Sequence, residues 1–244
     1  METGSPQMGE TQWPEVSPVG LSGLLVRFGD KLDPVANQAA IACRAGLEAE
    51  GWPEVAETAS ALASVILRID LAAHDETALT TRLQDWLAAR DWSQPALPEG
   101  RSLWSIPAVF GGAYGPQIEE VAALGGATVS QCIEEVTETR LRVLALGFAP
   151  GQPYLGFLPD RWDIPRQTGV TAKVPAGAIV LAVRQIVMFA NASPTGWRQI
   201  AQTGFKCYQP GAEDPLPLRP GDELRYVPVK EDALDTPASS EPLP

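Results

Sequence analysis

The chain has 244 residues, of which 45% are hydrophobic and 20% are charged. It carries 30 acidic residues against 18 basic ones, a formal net charge of −12 at pH 7. Such a field repels nucleic-acid phosphates and anionic lipid headgroups, so we expect neither a nucleic-acid nor a membrane partner. The length suits one large domain or two small ones, at roughly 100–200 residues per domain.

The first residues contain neither a basic segment nor an apolar one, so no secretory signal is predicted. The longest apolar stretches, at residues 61–67 and 176–183, are far shorter than the roughly 20 residues that cross a bilayer. A cytoplasmic location is the expectation.

Cysteine and histidine restrict the chemistry further. The three cysteines lie far apart in the sequence, which favours reduced, buried thiols over a disulfide framework. His74 is the one histidine, so we expect no metal site in this chain and interpret His74 as a solvated residue at a helix start. Catalysis would then depend on carboxylates, Lys, Arg, backbone amides or a partner chain.

Two terminal segments, 1–13 and 231–244, are polar and rich in Gly, Pro or Ser, and we predict that both are disordered. Between them, residues 14–95 show the order β-α-β-β-α of a ferredoxin-like domain. The predicted strands are 23–28, 54–60 and 64–70, and the predicted helices are 35–50 and 76–90.

After a linker at 96–102, the pattern over 103–230 changes to short strands with frequent Gly and Pro and only two short helices. That pattern is typical of a closed or sandwich-like β domain, so the fold class is predicted to be α+β.

The unusual segment is 147–159, which holds three glycines and three prolines around Phe148, Tyr154 and Phe157. It predicts a stiff loop with accessible backbone amides that could meet a carboxylate or a phosphate. A purely structural loop is equally consistent with the composition. The segment is not a Walker loop, because no Gly-Lys-Ser/Thr follows.

A set of ordered motifs then points to one family. They are Leu-Gly-Phe-Ala-Pro-Gly-Gln-Pro-Tyr-Leu-Gly at 146–156, Ile-Pro-Arg at 164–166, Lys-Val-Pro-Ala-Gly at 173–177, Gln185, Ser-Pro-Thr-Gly-Trp at 193–197 and Leu-Arg-Pro-Gly-Asp at 218–222. The chain resembles the family of the B-type subunit of 5-oxoprolinase, also described as allophanate hydrolase subunit 1 or as sporulation kinase inhibitor. The resemblance extends from about residue 23 to about residue 229.

This resemblance implies a ferredoxin-like domain followed by a cyclophilin-like β-barrel. It also implies a complex with a homologous C-type subunit and a lactam-handling A-type subunit, which hydrolyses 5-oxoproline to glutamate and consumes ATP bound by or with the partner subunits. The chain would contribute one wall of a site shared with the C-type subunit and be inactive alone. Related domains occur in urea amidolyases and other biotin-dependent carboxyltransferases.

The resemblance also suggests which residues bind substrate. Arg166 could clamp a carboxylate, Lys173 a phosphate or carboxylate, and Gln185 a polar ligand group, although a surface ion pair, a solvated lysine and a core hydrogen bond are the respective alternatives. No catalytic residue is assigned. The full predicted set is Gly147, Phe148, Pro150, Gly151, Tyr154, Arg166, Lys173, Gln185, Ser193 and Trp197.

Several positions depart from the family pattern. Val136 stands near the place of a His, Gln152 replaces an aromatic residue, Val183-Arg184 replaces Gly-Gly, Ala190 replaces Pro, and Thr195 replaces Gly. Two interpretations fit: an active member adapted to another substrate, or a degenerate member. A degenerate member could be a regulatory protein that inhibits a histidine kinase, or a subunit related to carboxyltransferases and allophanate hydrolases.

Overall fold

The computed structural model describes residues 13–70 and 73–243 of the chain. These residues form two compact units, divided between Ala96 and Leu97. None of the helices in the described part of the chain has the length and apolar character that crossing a bilayer requires.

The first unit is a four-stranded antiparallel sheet with two helices. Its strands are β1 (Glu15–Pro18), β2 (Gly23–Arg27), β3 (Val55–Ser60) and β4 (Ser64–Ile69), and its helices are α1 (Pro34–Glu50) and α2 (Glu76–Ala88). The spatial order is β1-β2-β4-β3. This is the ferredoxin-like arrangement that the sequence predicted. In the usual arrangement a further strand follows α2 and occupies the edge of the sheet, and here β1 occupies that edge.

Local chemistry explains where the helices begin and end. The Asp33 carboxylate accepts hydrogen bonds from the backbone N–H groups of Val35 and Ala36, and α1 ends at Gly51 with a φ of +61°. Asp75 caps α2 in the same way. His74 lies exposed directly before this cap, as predicted.

The second unit contains a closed barrel. Its strands are β5 (Ser102–Phe110), β6 (Leu141–Leu146), β7 (Pro153–Gly156), β8 (Thr171–Val174), β9 (Ala178–Ala182), β10 (Gln185–Met188), β11 (Ser193–Thr195), β12 (Arg198–Gln202), β13 (Glu223–Pro228) and β14 (Ser239–Pro242), with helices α3 (Ile118–Leu124) and α4 (Val129–Glu138). Seven strands form a ring in the order β12-β9-β10-β7-β6-β13-β5, which β12 and β5 close. Strands β8 and β11 form a separate small sheet. The fold class is therefore α+β, with a cyclophilin-like barrel after the ferredoxin-like unit.

Alternation along the strands separates two apolar clusters. Ile186 and Met188 of β10 belong to the main barrel core, together with Leu155 of β7. Val187 points to the opposite side and packs in a second cluster that includes Trp197. Because successive side chains of a strand point to opposite faces, Gln185 shares the outer side with Val187.

Two expectations from the sequence were wrong. The C-terminal segment is not a disordered tail, because it forms a 3₁₀ turn at Glu231–Ala233 and then β14, which pairs with β5. Segment 147–159 is not one irregular loop, because β7 lies within it and carries Tyr154. The other predicted tail, 1–13, lies outside the described residues except for Trp13.

The cysteine prediction was correct. Cys43, Cys132 and Cys207 are free and buried. Burial raises the pKa of each thiol to about 12, so all three are protonated and unreactive near neutral pH.

Candidate functional site

The Gly/Pro segment forms a closed turn between β6 and β7. The Gly147 N–H donates to the Gln152 carbonyl at 3.0 Å, and the Gln152 N–H donates to the Ala149 carbonyl at 3.0 Å. Phe148 adopts a φ of +70° and leaves 73% of its surface exposed. A positive φ is uncommon for a residue with a large side chain.

Two departures from the family pattern are joined by one hydrogen bond. The backbone N–H of Ala190 donates to Oε1 of the buried Gln152 at 3.3 Å. Proline at position 190 would have no N–H to donate. The two replacements are thus complementary, because one supplies the donor and the other the acceptor. Their hydrogen bond attaches the turn between β6 and β7 to the segment that follows β10.

Aromatic residues from two elements meet beside the barrel. The rings of Tyr154 and Trp197 lie edge to face, with centroids 6.5 Å apart. The Arg166 guanidinium lies 5.4 Å from the centroid of the Trp197 ring, within the range of a cation–π contact. The backbone N–H of Trp197 donates to Thr195 Oγ1 at 3.0 Å, so the Thr195 hydroxyl helps to hold Trp197 in place.

Gln185 lies on the same side of the barrel. It pairs with Gly156 across β7 and β10, while Tyr154 pairs with Val187. Tyr154 and Gln185 are therefore diagonal neighbours on one surface, which we call the β7–β10 outer face and define by Tyr154, Gly156, Gln185 and Val187. Gln185 is only 5% exposed, yet its Nε2 meets no acceptor among the described residues.

Other predicted residues lie elsewhere. Lys173 is exposed on β8. Ser193 of β11 pairs with Val174, the residue after Lys173. Lys173 and Ser193 therefore belong to the small sheet and not to the β7–β10 outer face. The Ser193 hydroxyl bonds to Asn191 Oδ1 at 3.1 Å. Pro150 is exposed in the turn before β7. The structure thus unites Tyr154, Arg166, Gln185 and Trp197 more closely than the rest of the predicted set.

Two residues in the turn between β9 and β10 adopt the left-handed conformation that glycine favours, although neither is glycine. Val183 and Arg184 have φ values of +46° and +62°. The Arg184 side chain donates to the Leu158 carbonyl at 2.9 Å and pairs with Asp160 at 2.7 Å. These contacts offset the strain and hold the turn that places Gln185 at the start of β10.

Among the described residues, the site contains no evident proton carrier. Val136, near the place of the family's histidine, is fully buried in the barrel core. Glu120 is engaged with Arg198 at 2.7 Å. No group of three or more His, Cys, Asp or Glu residues in the described ranges could hold a metal ion.

Arg142 was missed in the sequence-based set. It lies on β6 directly opposite Gly156 and therefore beside the β7–β10 outer face. The predicted alternation of β6 contained the signal, because Leu141 and Val143 point into the core and Arg142 must point outward.

The fold defines a protein with a carboxyltransferase-type architecture, in which a ferredoxin-like unit precedes a closed barrel. The chain belongs to the carboxyltransferase domain family, subdomain C and D, whose sequence profile matches residues 14–218.

Characterised relatives agree with this assignment. The chain is 39% identical to the B-type subunit of 5-oxoprolinase from Escherichia coli O157:H7, over 62% of this chain and 67% of the relative. It is 27% identical to the B-type subunit of 5-oxoprolinase from Bacillus subtilis strain 168, over 89% and 93% of the respective chains. The crystal structure of TTHA0988 matches 85% of this chain with a TM-score of 0.72 and 27% identity, and the match spans 40% of that longer chain.

Proposed function

We propose that this chain is the B-type subunit of an ATP-dependent 5-oxoprolinase complex that converts 5-oxoproline to glutamate. The observation that carries the proposal is the 39% identity to the Escherichia coli B-type subunit. The polar and aromatic β7–β10 outer face supports it, because a small-molecule site needs a few placed polar groups within apolar walls. The domain limits that go with it are 14–95 and 103–230, joined by 96–102.

In this proposal the chain supplies one wall of a site shared with the homologous C-type subunit, and a third, A-type subunit handles the lactam. Phe148, exposed on its turn, would meet the C-type subunit. Tyr154, Arg166, Gln185 and Trp197 would contact substrate, with Gly147, Pro150 and Gly151 shaping the turn and Lys173 and Ser193 at the rim.

The use of ATP follows from the chemistry of the substrate. A five-membered lactam is an unstrained amide and a poor electrophile. Transfer of the γ-phosphoryl group to the lactam oxygen releases ADP and makes the ring carbon open to attack by a first water. The C–N bond then breaks, the nitrogen takes a proton, and the acyl phosphate of glutamate remains. A second water hydrolyses this acyl phosphate to glutamate and phosphate. ATP would be bound by or with the partner subunits, because this chain has no Gly-Lys-Ser/Thr phosphate loop.

Co-expression with A-type and C-type subunits tests the assignment. We expect a stable assembly that releases glutamate from 5-oxoproline only when ATP is present, with ADP formed in equal amount. Phe148→Ser should weaken assembly, whereas Val170→Ser, which changes another exposed apolar residue, should not. An intact assembly that releases no glutamate would contradict the assigned substrate.

A regulatory function is the second candidate, and the expected departure from the family pattern near the buried Val136, where the resemblance implies a histidine, favours it. In that case the same face would bind a histidine kinase and lower its autophosphorylation. One experiment distinguishes the two candidates. When purified chain is added to a histidine kinase encoded in the same gene neighbourhood, autophosphorylation of the kinase should fall only if the second candidate is correct.

A further inference from the structure

The segment before β8 is bonded to its surroundings on both sides of Arg166. On one side, the Pro165 carbonyl accepts a hydrogen bond from Nη1 of the buried Arg198 at 2.6 Å. On the other side, the backbone N–H of Gln167 donates to the Gly196 carbonyl at 2.7 Å. Because these bonds hold both neighbours of Arg166, the backbone at position 166 has a fixed place beside Gly196.

The side chain of Gln167 is the middle member of a chain of amide hydrogen bonds. Its Nε2 donates to the Trp197 carbonyl at 2.9 Å, and its Oε1 accepts from Gln117 Nε2 at 2.8 Å. Oε1 of Gln117 accepts from the backbone N–H of Gln199 at 2.9 Å. A backbone N–H can only donate, so the Gln117 oxygen faces Gln199 and its NH₂ group faces Gln167. The NH₂ group of Gln167 must then face Trp197, and the orientation of both amides is determined.

Arg166 itself keeps its hydrogen-bond donors free. In the described part of the chain, eleven arginines form ion pairs with carboxylates, whereas the exposed Arg166 meets no acceptor. Its guanidinium lies 5.4 Å from the centroid of the Trp197 ring, and an arginine above an aromatic face still has N–H groups along its edge. Such an edge suits a carboxylate, which pairs with guanidinium through two parallel hydrogen bonds.

We propose that Gln167 is a positioning residue, which joins Arg166 to Trp197 and so presents the Arg166 guanidinium to the carboxylate of the ligand. Gln167 follows Arg166 in the chain, and its backbone and side chain bond to Gly196 and Trp197 respectively. Loss of the side-chain bond frees the arginine to move relative to the ring, so more conformational freedom is lost when a ligand binds. The inference rests on the proposed function for the identity of the ligand, 5-oxoproline, but not for the placement of Arg166.

The placement of Arg166 can be measured in the full chain without any ligand. ¹⁵N relaxation gives the order parameter of the Arg166 Nε–H bond, which reports motion on the picosecond to nanosecond timescale. We expect this order parameter to fall in Gln167→Met, which keeps the size of the side chain and removes its hydrogen bonds. Gln202→Met is the matched control: Nε2 of Gln202 also donates to a backbone carbonyl, that of Ala176 at 3.4 Å, at the opposite end of β12 from Arg198. An unchanged order parameter in Gln167→Met would overturn the inference.

Kinetics of the assembled complex test whether Gln167 acts through Arg166. Arg166→Gln should lower kcat/KM for 5-oxoproline about 10- to 100-fold, the range for a lost hydrogen bond to a charged group. Gln167→Met should lower it about 3- to 10-fold, the range for a neutral hydrogen bond, because Arg166 remains present. When Arg166→Gln is already in place, Gln167→Met should have no further effect, since the two residues serve one interaction.

The two measurements separate this inference from the proposed function. An Arg166 order parameter that depends on Gln167, in a complex that does not turn over 5-oxoproline, would support the positioning and contradict the proposed function. Turnover that Gln167→Met lowers equally with and without Arg166 would overturn the positioning and leave the proposed function intact, because Gln167 would then act independently of the arginine.

Discussion

At the scale of single residues, Gly151 shows how closely the site turn is constrained. It has a φ of +71°, and a Cβ there would lie 2.1 Å from the Cys207 carbonyl oxygen. The carbonyl oxygen belongs to the backbone, and a Cβ atom is fixed in position by the backbone. No side-chain rotation can therefore relieve the clash. The turn can therefore form only if position 151 is glycine.

Gly151→Ala should lower the free energy of unfolding by about 3 kcal/mol, because strain and a backbone clash act together. Gly147→Ala is the matched control: a Cβ there meets nothing within 4 Å, and the change should be within about 0.5 kcal/mol. Urea denaturation measures both. Equal effects of the two substitutions would contradict the constraint at Gly151.

Val183 provides the opposite case, a residue that strains its own turn. A β-branched side chain at a φ of +46° costs about 1–2 kcal/mol, whereas Asn tolerates that conformation. Val183→Asn should therefore raise the free energy of unfolding by about 0.5–1 kcal/mol after some loss of burial. Val170→Asn, at an exposed valine without positive φ, should have no such effect. Destabilisation by Val183→Asn would show that packing of the valine outweighs the strain.

The sequence could predict the types of residue at the site but not their pairing. The Gly/Pro motif indicated a constrained turn, and the predicted set included Tyr154, Trp197 and Gln185, which the structure places on one side of the barrel. The bond between Ala190 and Gln152 joins positions 38 residues apart, and nothing local in the sequence shows it. The alternation of β6 places Arg142 outward, but its position opposite Gly156 depends on a register that only the folded sheet defines.

At the scale of elements, strong local signals gave correct predictions and weak ones did not. Helices α1 and α2 have Asp caps and apolar periodicity, and both lie close to the predicted limits. Strands β1 and β14 were missed because each has only four residues, includes a proline and buries little apolar surface. Such strands are stabilised by backbone pairing with a neighbour already in place, which is a tertiary effect.

Removal of β14 should therefore weaken the barrel at β5. A chain that ends at Thr236 loses the pairing of Ser239–Pro242 with β5, and we expect a loss of about 1–3 kcal/mol, at about 1 kcal/mol for each backbone hydrogen bond. Amide exchange over residues 102–105 should become faster. Glu241→Gln keeps the strand and should leave exchange unchanged. Unaltered protection in the truncated chain would mean that β14 contributes nothing to β5.

At the scale of the whole molecule, the chemistry available to the chain is incomplete. Its one histidine lies exposed before α2, in the unit that does not carry the β7–β10 outer face. Of the carboxylates beside that face, Asp160 is paired with Arg184, and Glu223 is surrounded by arginines. Both carboxylates are therefore engaged with guanidinium groups. In the proposed function, the partner subunits would therefore supply the groups that activate water and protonate the ring nitrogen.

We therefore expect the isolated chain to be catalytically silent with 5-oxoproline and ATP, and to gain activity only on assembly. General acid–base groups typically contribute about 10²–10⁴-fold each, so their absence should leave release of glutamate by the chain alone at background. The measurement is the release of glutamate and phosphate by the chain alone, by the chain with its C-type partner, and by the three-component assembly at matched concentrations. Turnover by the isolated chain at the rate of the full assembly would show that this chain contains the whole active site.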